Sequence, residues 1–263
     1  NIGRLCAYTG GLPASVPGMA LDRMCASGLM TIGVAAKSII AGEMKIAIGG
    51  GVESLSLTQT KHKNTYRAQS EAVKAVVPAA YIPMLETAEI VADRYGISRQ
   101  AQDEFSLQSQ QRTAAAQAAG LFDDEIVPLA ARKLLFDKEG NPAGHEDVVA
   151  RRDECNRPST TLEDLTKLLP VVKGGNWVKE GRFITAGNAS QFSDGAAAAL
   201  LMSRAEAERR GIASLGVYRG IAVAGCAPEE MGIGPVYAIP RLLEQHGLTV
   251  NDIGLWEINE AFA

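Results

Sequence analysis

From Cys25 to Gly42 the chain is almost uncharged, with Ala, Ile, Met and Gly on every side of a helical wheel and Lys37 as its single charge. A helix apolar nearly all round is a buried one, so a core helix is expected here, stopped by Gly42. Lys45 to Ile48 then reads as a short strand running into Gly49-Gly50-Gly51, which makes a helix-strand unit of an α/β core. The glycine triplet is expected to be a tight, crowded turn that places Glu53 and Ser54. It lacks the G-x-G-x-x-G register of a dinucleotide-binding turn, so no cofactor fingerprint is assigned.

From about Ser54 to Phe192 charges, Gln and Pro increase, and polar segments interrupt strand alternation. This middle region reads as an insertion with two helices. One runs from Glu86 to Tyr95 and is closed by Gly96; the other starts near Arg99 behind Ser98 as N-cap and closes at Gly120. Asp137 to Asp147 and Lys173 to Gly181 read as surface loops or hairpins. The core pattern returns at Gly195 to Met202, a small-residue buried strand, followed by the charged helix Ala205 to Arg210. Leu215 to Ala224 is expected as a strand, Ile239 to His246 as a helix, Asn251 as a turn or cap, and Leu255 to Ile258 as a last strand.

Composition narrows the function classes. Of the 263 residues, 46% are apolar and 21% charged, ordinary globular usage that excludes a disordered or fibrous chain. A formal net charge of -4 offers no basic footprint for nucleic acid or an anionic membrane surface, and neither is expected as a partner. Apolar runs such as Ala75 to Leu85, broken by Pro78 and Pro83, are too short to cross a bilayer. Cys6, Cys25, Cys155 and Cys226 form no C-x-x-C pair, and His62, His145 and His246 show no H-E-x-x-H spacing. Reduced thiols in a cytoplasmic protein, with no metal site, are the expectation. The first residue is not Met, and Glu257-Ile-Asn-Glu-Ala-Phe262 reads as the interior of a domain, so a fragment truncated at both ends is expected.

Three positions invite a chemical reading. Cys25, in Met24-Cys25-Ala26-Ser27-Gly28, falls at the first turn of the apolar helix, where the helix dipole and nearby N–H groups favour thiolate. The bland alternative is an inert core cysteine. The small neighbours Ala26, Ser27 and Gly28 leave room for a ligand and tilt the reading toward a nucleophile. Gly187-Asn188-Ala189-Ser190 is by itself an ordinary polar turn. Asn259, at the end of the last strand, suits equally a residue that holds a water or polarises a carbonyl, and an N-cap.

Together, four segments change these odds: Leu21-Asp-Arg-Met-Cys25-Ala-Ser-Gly-Leu29, Gly49-Gly-Gly-Val-Glu-Ser54, Thr185-Ala-Gly-Asn-Ala-Ser190-Gln-Phe-Ser-Asp-Gly195 and Asn259-Glu-Ala-Phe-Ala263. In this order they resemble the thiolase family, the acetyl-CoA acetyltransferases and 3-ketoacyl-CoA thiolases. Thr87-Ala-Glu89, Ser98-Arg-Gln-Ala-Gln-Asp103 and Asp124-Glu-Ile-Val-Pro128 extend the resemblance through the inserted region.

The resemblance implies an α/β fold with a layered αβαβα core, an inserted lid domain and an incomplete second half. The corresponding division is 1–54 and 193–213 for the N-terminal core half, 55–192 for the lid that binds CoA, and 214–263 for the start of the C-terminal half. It also implies acyl transfer between CoA thioesters in fatty acid metabolism. Cys25 matches the acyl-accepting nucleophile, its backbone N–H matches an oxyanion donor, and Asn259 matches the residue holding a catalytic water. Arg157 matches a residue near the nucleotide end of CoA, with a solvated loop arginine as a nearly even alternative. Ser190 matches a pantetheine contact and Met84 the acyl pocket. Acetyl-CoA or 3-ketoacyl-CoA is then the substrate, no cofactor is held permanently, and the complete protein is a homodimer or homotetramer.

Pro83 stands where some biosynthetic members have a histidine, and Asp164 where they have a ligand-contacting serine. Cys226 has no glycines after it and is not assigned to proton transfer. The family's Gly-His-Pro and Cys-Gly-Gly-Gly segments do not occur in the 263 residues, so no turnover is expected of this stretch alone. The rival reading from another class is a thiolase-like protein that binds acyl-CoA or lipid without catalysis. A malonyl-dependent or decarboxylating ketosynthase is disfavoured by the Asn259 segment and the long insertion.

Overall fold

The computed structural model describes residues 1–263. Along the chain run α1 (Ile2–Thr9), a 3-10 turn (Met24–Ala26), α2 (Ser27–Ile40), β1 (Ile46–Ser54), α3 (Leu55–Thr58), α4 (Glu71–Val76), α5 (Met84–Arg94) and α6 (Arg99–Ala118). There follow β2 (Leu129–Phe136), β3 (Pro142–Ala150), α7 (Leu162–Thr166), β4 (Asp194–Met202), α8 (Arg204–Arg210) and α9 (Gly234–Gln245). The chain divides into two compact units: residues 1–65, 192–223 and 241–247 form one, and residues 66–191, 224–240 and 248–263 the other.

In the first unit β1 and β4 pair antiparallel over nine residues each, from Ile46 opposite Met202 to Ser54 opposite Asp194, and α2 packs on them. The glycine triplet is not the expected turn, since Gly49, Gly50 and Gly51 lie inside β1, opposite Ala199, Ala198 and Ala197. Their role is close approach. A Cβ on Gly49 would stand 2.8 Å from the Ile32 Cα on α2, and one on Gly50 2.6 Å from the Ala197 carbonyl oxygen. Strand and helix therefore meet backbone to backbone, and Thr31 Oγ1 donates across the gap to the Gly50 carbonyl at 2.9 Å.

The helix is also less buried than its composition suggests. Gly33, Ala35 and Ala36 are buried, whereas Leu29 and Ile40 are exposed. Composition reports how apolar a helix is, not how many of its faces a neighbour covers.

The expected strand at 215–224 does not form. The segment instead lays Ile221 against α2, where a Cβ on Gly33 would be 3.0 Å from Ile221 Cδ1, and Arg241 Nη1 donates to the Val223 carbonyl at 2.8 Å. Alternating apolar residues give one apolar side, but a strand also needs a ladder partner.

The second unit contains α5 and α6, and α5 begins at Met84, two residues before the expected Glu86. Ser98 Oγ accepts from the Ala101 N–H at 3.1 Å as N-cap of α6, while α5 starts directly after Pro83. Asp137 to Asp147 joins and enters an antiparallel hairpin, β2 with β3, and Lys173 pairs with Glu180 in a second small hairpin. Leu255 to Ile258 is exposed and carries no strand. The cap near Asn251 is Thr249, whose amide and hydroxyl both donate to Asp252 Oδ2 at 2.7 Å. No helix is long and apolar enough to cross a membrane.

The core of this unit is polar to an unusual degree. Glu86, Glu89 and Asp103 are buried, Asp103 completely. Glu86 Oε2 accepts from the Trp177 and Val178 N–H groups at 2.6 and 2.8 Å. Glu89 accepts from the backbones of Arg182, Phe183 and Ile184, at 2.8 Å in the last case. Asp103 pairs with Arg99 at 2.8 Å and accepts from Asn188 Nδ2 at 3.2 Å. Asn188 also donates to the Phe183 carbonyl at 2.8 Å and accepts from the Thr185 N–H at 2.7 Å. Buried carboxylates survive only when hydrogen-bonded, and here loop N–H groups satisfy them. Residues 177–188 are thereby pinned to α5 and α6.

Candidate active site

Cys25 sits in the 3-10 turn that leads into α2, the helix packed on β1. It is exposed, so no hydrocarbon wall separates its sulfur from solvent. The turn is built from its neighbours. Asp22 Oδ1 accepts from the Met24 N–H at 2.7 Å, Ser27 Oγ accepts from the Arg23 N–H at 2.8 Å, and the same hydroxyl donates to the Met24 carbonyl at 2.7 Å. Thr31 Oγ1, one turn further on, reaches both the Gly28 carbonyl, at 2.7 Å, and β1. The sulfur therefore rides on a rigid corner rather than a loop.

Cys226 supplies the contrast. Burial first, then the charges of Glu230 and Glu229, push its thiol pKa up, and Sγ points at the Glu230 carbonyl at 3.7 Å. Those surroundings favour the protonated form of the thiol.

The remaining candidates belong to the second unit. Met84, 41% exposed, is the first residue of α5, and its carbonyl accepts from Thr87 Oγ1 at 2.7 Å. Arg157 is exposed while its backbone is anchored: its N–H donates to Gln110 Oε1 on α6 at 2.7 Å, and Asn156 Nδ2 donates to the same oxygen at 3.0 Å. Ser190 is exposed, and its N–H donates to the Ala261 carbonyl at 3.0 Å. With the Ala263 N–H donating to the Asn188 carbonyl at 3.0 Å, this bond lays residues 261–263 beside 188–190. The segment carrying the exposed Asn259 is thus brought to Ser190, two of the five candidates in one neighbourhood. Asp164 caps α7 with Thr161, accepting from Thr161 Oγ1 at 2.6 Å. No cluster of His, Cys, Asp or Glu has the arrangement of a metal site.

Two sets of residues escaped the sequence reading. Asp22 and Ser27 act through local side-chain-to-backbone bonds, and their signal was present as polar residues flanking an otherwise apolar corner. Glu86, Glu89 and Asp103 look in sequence like the polar face of solvated helices. Only the Gly- and amide-rich loop at 174–188, full of N–H groups needing acceptors, hinted at their partners.

Comparison with known proteins agrees with this architecture. The family model for the N-terminal domain of thiolase matches residues 1–205, and that for the C-terminal domain residues 212–263. The chain is 46% identical over 261 residues to 3-ketoacyl-CoA thiolase A, peroxisomal, of Rattus norvegicus, covering 99% of this chain and 57% of the relative. It is 44% identical over 263 residues to 3-ketoacyl-CoA thiolase of Bacillus subtilis strain 168, covering 100% and 65%. Among solved structures, the dimeric peroxisomal thiolase of Saccharomyces cerevisiae superposes with a TM-score of 0.86 at 37% identity, over 100% of this chain and 64% of that one. Human mitochondrial 3-ketoacyl-CoA thiolase in complex with CoA gives 0.80 at 34%, over 98% and 63%. The fold is that of the thiolases, and the chain spans somewhat more than half the length of the curated relatives it matches.

Proposed function

Because the chain belongs to the thiolase family, we propose that its protein transfers acyl groups between CoA thioesters, with Cys25 as the acyl carrier. The observation that carries the reading is the exposed sulfur on a corner fixed from both sides by Asp22 and Ser27. Cys25 Sγ attacks the thioester carbonyl; the new S–acyl bond forms as the carbon–sulfur bond to CoA breaks, and the departing CoA takes up the proton lost by the Cys25 thiol. Negative charge appears on the carbonyl oxygen in between, and the Cys25 backbone N–H is one donor for it. In the degradative direction Sγ attacks the 3-keto carbon of a 3-ketoacyl-CoA instead: the S–acyl bond forms as the C2–C3 bond breaks, acetyl-CoA leaves as an enolate that takes up the proton from the thiol, and the thiol of free CoA then resolves the shortened acyl-enzyme. In the synthetic direction the α-carbon of acetyl-CoA, after losing a proton, attacks the acyl-enzyme, and Asn259 holds the water that faces the enolate oxygen.

The inserted segment 55–192 supplies the CoA site in this reading, as the lid. Arg157 suits phosphate or an adenine face because its guanidinium is exposed while its backbone is held by Gln110. Ser190 meets the pantetheine arm and Met84 lines the acyl pocket. The substrates are acetyl-CoA and 3-ketoacyl-CoA in fatty acid metabolism, and the working form is a homodimer or homotetramer. Fractionation of the producing cells decides between the cytoplasm, favoured by the reduced-thiol reading, and the peroxisome named for the rat relative.

The test is thiolytic cleavage of a 3-ketoacyl-CoA by the whole protein. Cys25→Ser is expected to lose activity on the order of a thousandfold or more. Retention of activity in that variant would remove Cys25 from the mechanism, and tight CoA-thioester binding with no turnover in the unaltered protein would favour a binding protein.

A further inference from the structure

Met24, the residue before the proposed nucleophile, has a left-handed backbone with φ 48°. Only one other non-glycine residue, Arg67, has positive φ. For an ordinary L-residue that conformation is unfavourable, and the Met24 side chain, 82% exposed, gains no packing in return. Polar groups hold it instead. The Met24 N–H is taken by Asp22 Oδ1, and the Met24 carbonyl accepts from Ser27 Oγ, which is itself oriented by the Arg23 N–H.

The Met24 carbonyl and the Cys25 N–H belong to one planar peptide unit. A bond that fixes the carbonyl therefore fixes the direction of the N–H. We propose that Asp22 and Ser27 are positioning residues which lock Met24 left-handed and so aim the Cys25 N–H and sulfur at the same acyl carbonyl. The inference rests on Cys25 being the acyl acceptor and adds what orients it. Neither side chain touches the substrate; both act through the Met24–Cys25 peptide.

The test is the rate of CoA release when the whole protein is acylated by acetyl-CoA, compared with alkylation of Cys25 by iodoacetamide, a reaction without an oxyanion to stabilise. Asp22→Ala and Ser27→Ala are each expected to slow acylation about tenfold at unchanged KM, because misaimed groups lose rate rather than binding. Alkylation is expected to stay within about twofold, since the thiol remains exposed. Asp22→Asn keeps an acceptor oxygen and should acylate at close to the original rate. Adding Met24→Gly to Asp22→Ala should restore most of the loss, because glycine takes positive φ without a lock. Acylation at the original rate in Asp22→Ala, or a slowed Asp22→Ala that Met24→Gly fails to rescue, would overturn the proposal. Absence of acylation in the unaltered protein would instead overturn the role of Cys25 itself.

Discussion

In the first unit α2 settles on β1 because side chains are missing: Gly49 lets the strand backbone reach the Ile32 backbone, and Gly50, opposite Ala198, leaves room for the neighbouring strand β4. In the second unit the opposite holds, since Glu86, Glu89 and Asp103 fill the interior with carboxylates and tie residues 177–188 down through main-chain N–H groups. Steric fit, with one hydroxyl of Thr31 bridging to the strand, places the helix that follows Cys25. Directional bonds place the loop that leads to Ser190. A sterically fitted region resists added atoms, whereas a hydrogen-bonded one is undone by their removal.

The largest effect should come from Glu89→Ala. It strands the Arg182, Phe183 and Ile184 N–H groups, the last of them fully buried. Buried donors left unpaired cost about 1–3 kcal/mol each, so a loss of about 3–5 kcal/mol is expected in chemical denaturation. Glu89→Gln, which keeps one acceptor, should lose roughly half as much. Gly49→Ala comes next: its methyl group would press on the Ile32 backbone at 2.8 Å. Overpacking of that kind costs about 1–3 kcal/mol, read as a lower unfolding midpoint. An unchanged midpoint would show that α2 can lift off β1 freely.

The smallest effect belongs to the surface helix α8. Hydrogen bonds from Arg209 and Arg210 lower the Glu206 carboxyl from 4.5 to about 2. A carboxylate with a depressed folded pKa contributes stability above its unfolded value and loses it as pH falls toward the folded one. Both arginines are exposed to solvent and salt, so the contribution is slight. Thermal unfolding should separate the native chain from Glu206→Gln above about pH 4.5, with the two curves converging as pH approaches about 2. A constant gap across that range would contradict the assignment.

The same contrast explains what could be read beforehand. The helices at 84–94 and 99–118, the hairpin after Phe136 and the strand at 195–202 were legible because caps, turn residues and uniform small side chains act locally. The glycine triplet misled, since a glycine that admits a neighbouring backbone looks the same in sequence as one that turns the chain. Segments 215–224 and 255–258 misled for another reason: their pattern specifies an apolar side but not a ladder partner. At the candidate site, the small neighbours of Cys25 mark it in sequence as a position to test, while the bonds of Asp22 and Ser27 leave no such mark, because they end on the backbone of Arg23 and Met24 rather than on a side chain.

The central claim, that Cys25 carries the acyl group, is tested most directly by acid-quenching the whole protein with acetyl-CoA and mapping the acylated peptide by mass spectrometry. The account predicts one acetyl group on the peptide containing Cys25, discharged by added CoA. An acetyl group on Cys6, Cys155 or Cys226 instead, or acyl transfer with no covalent intermediate, would contradict it.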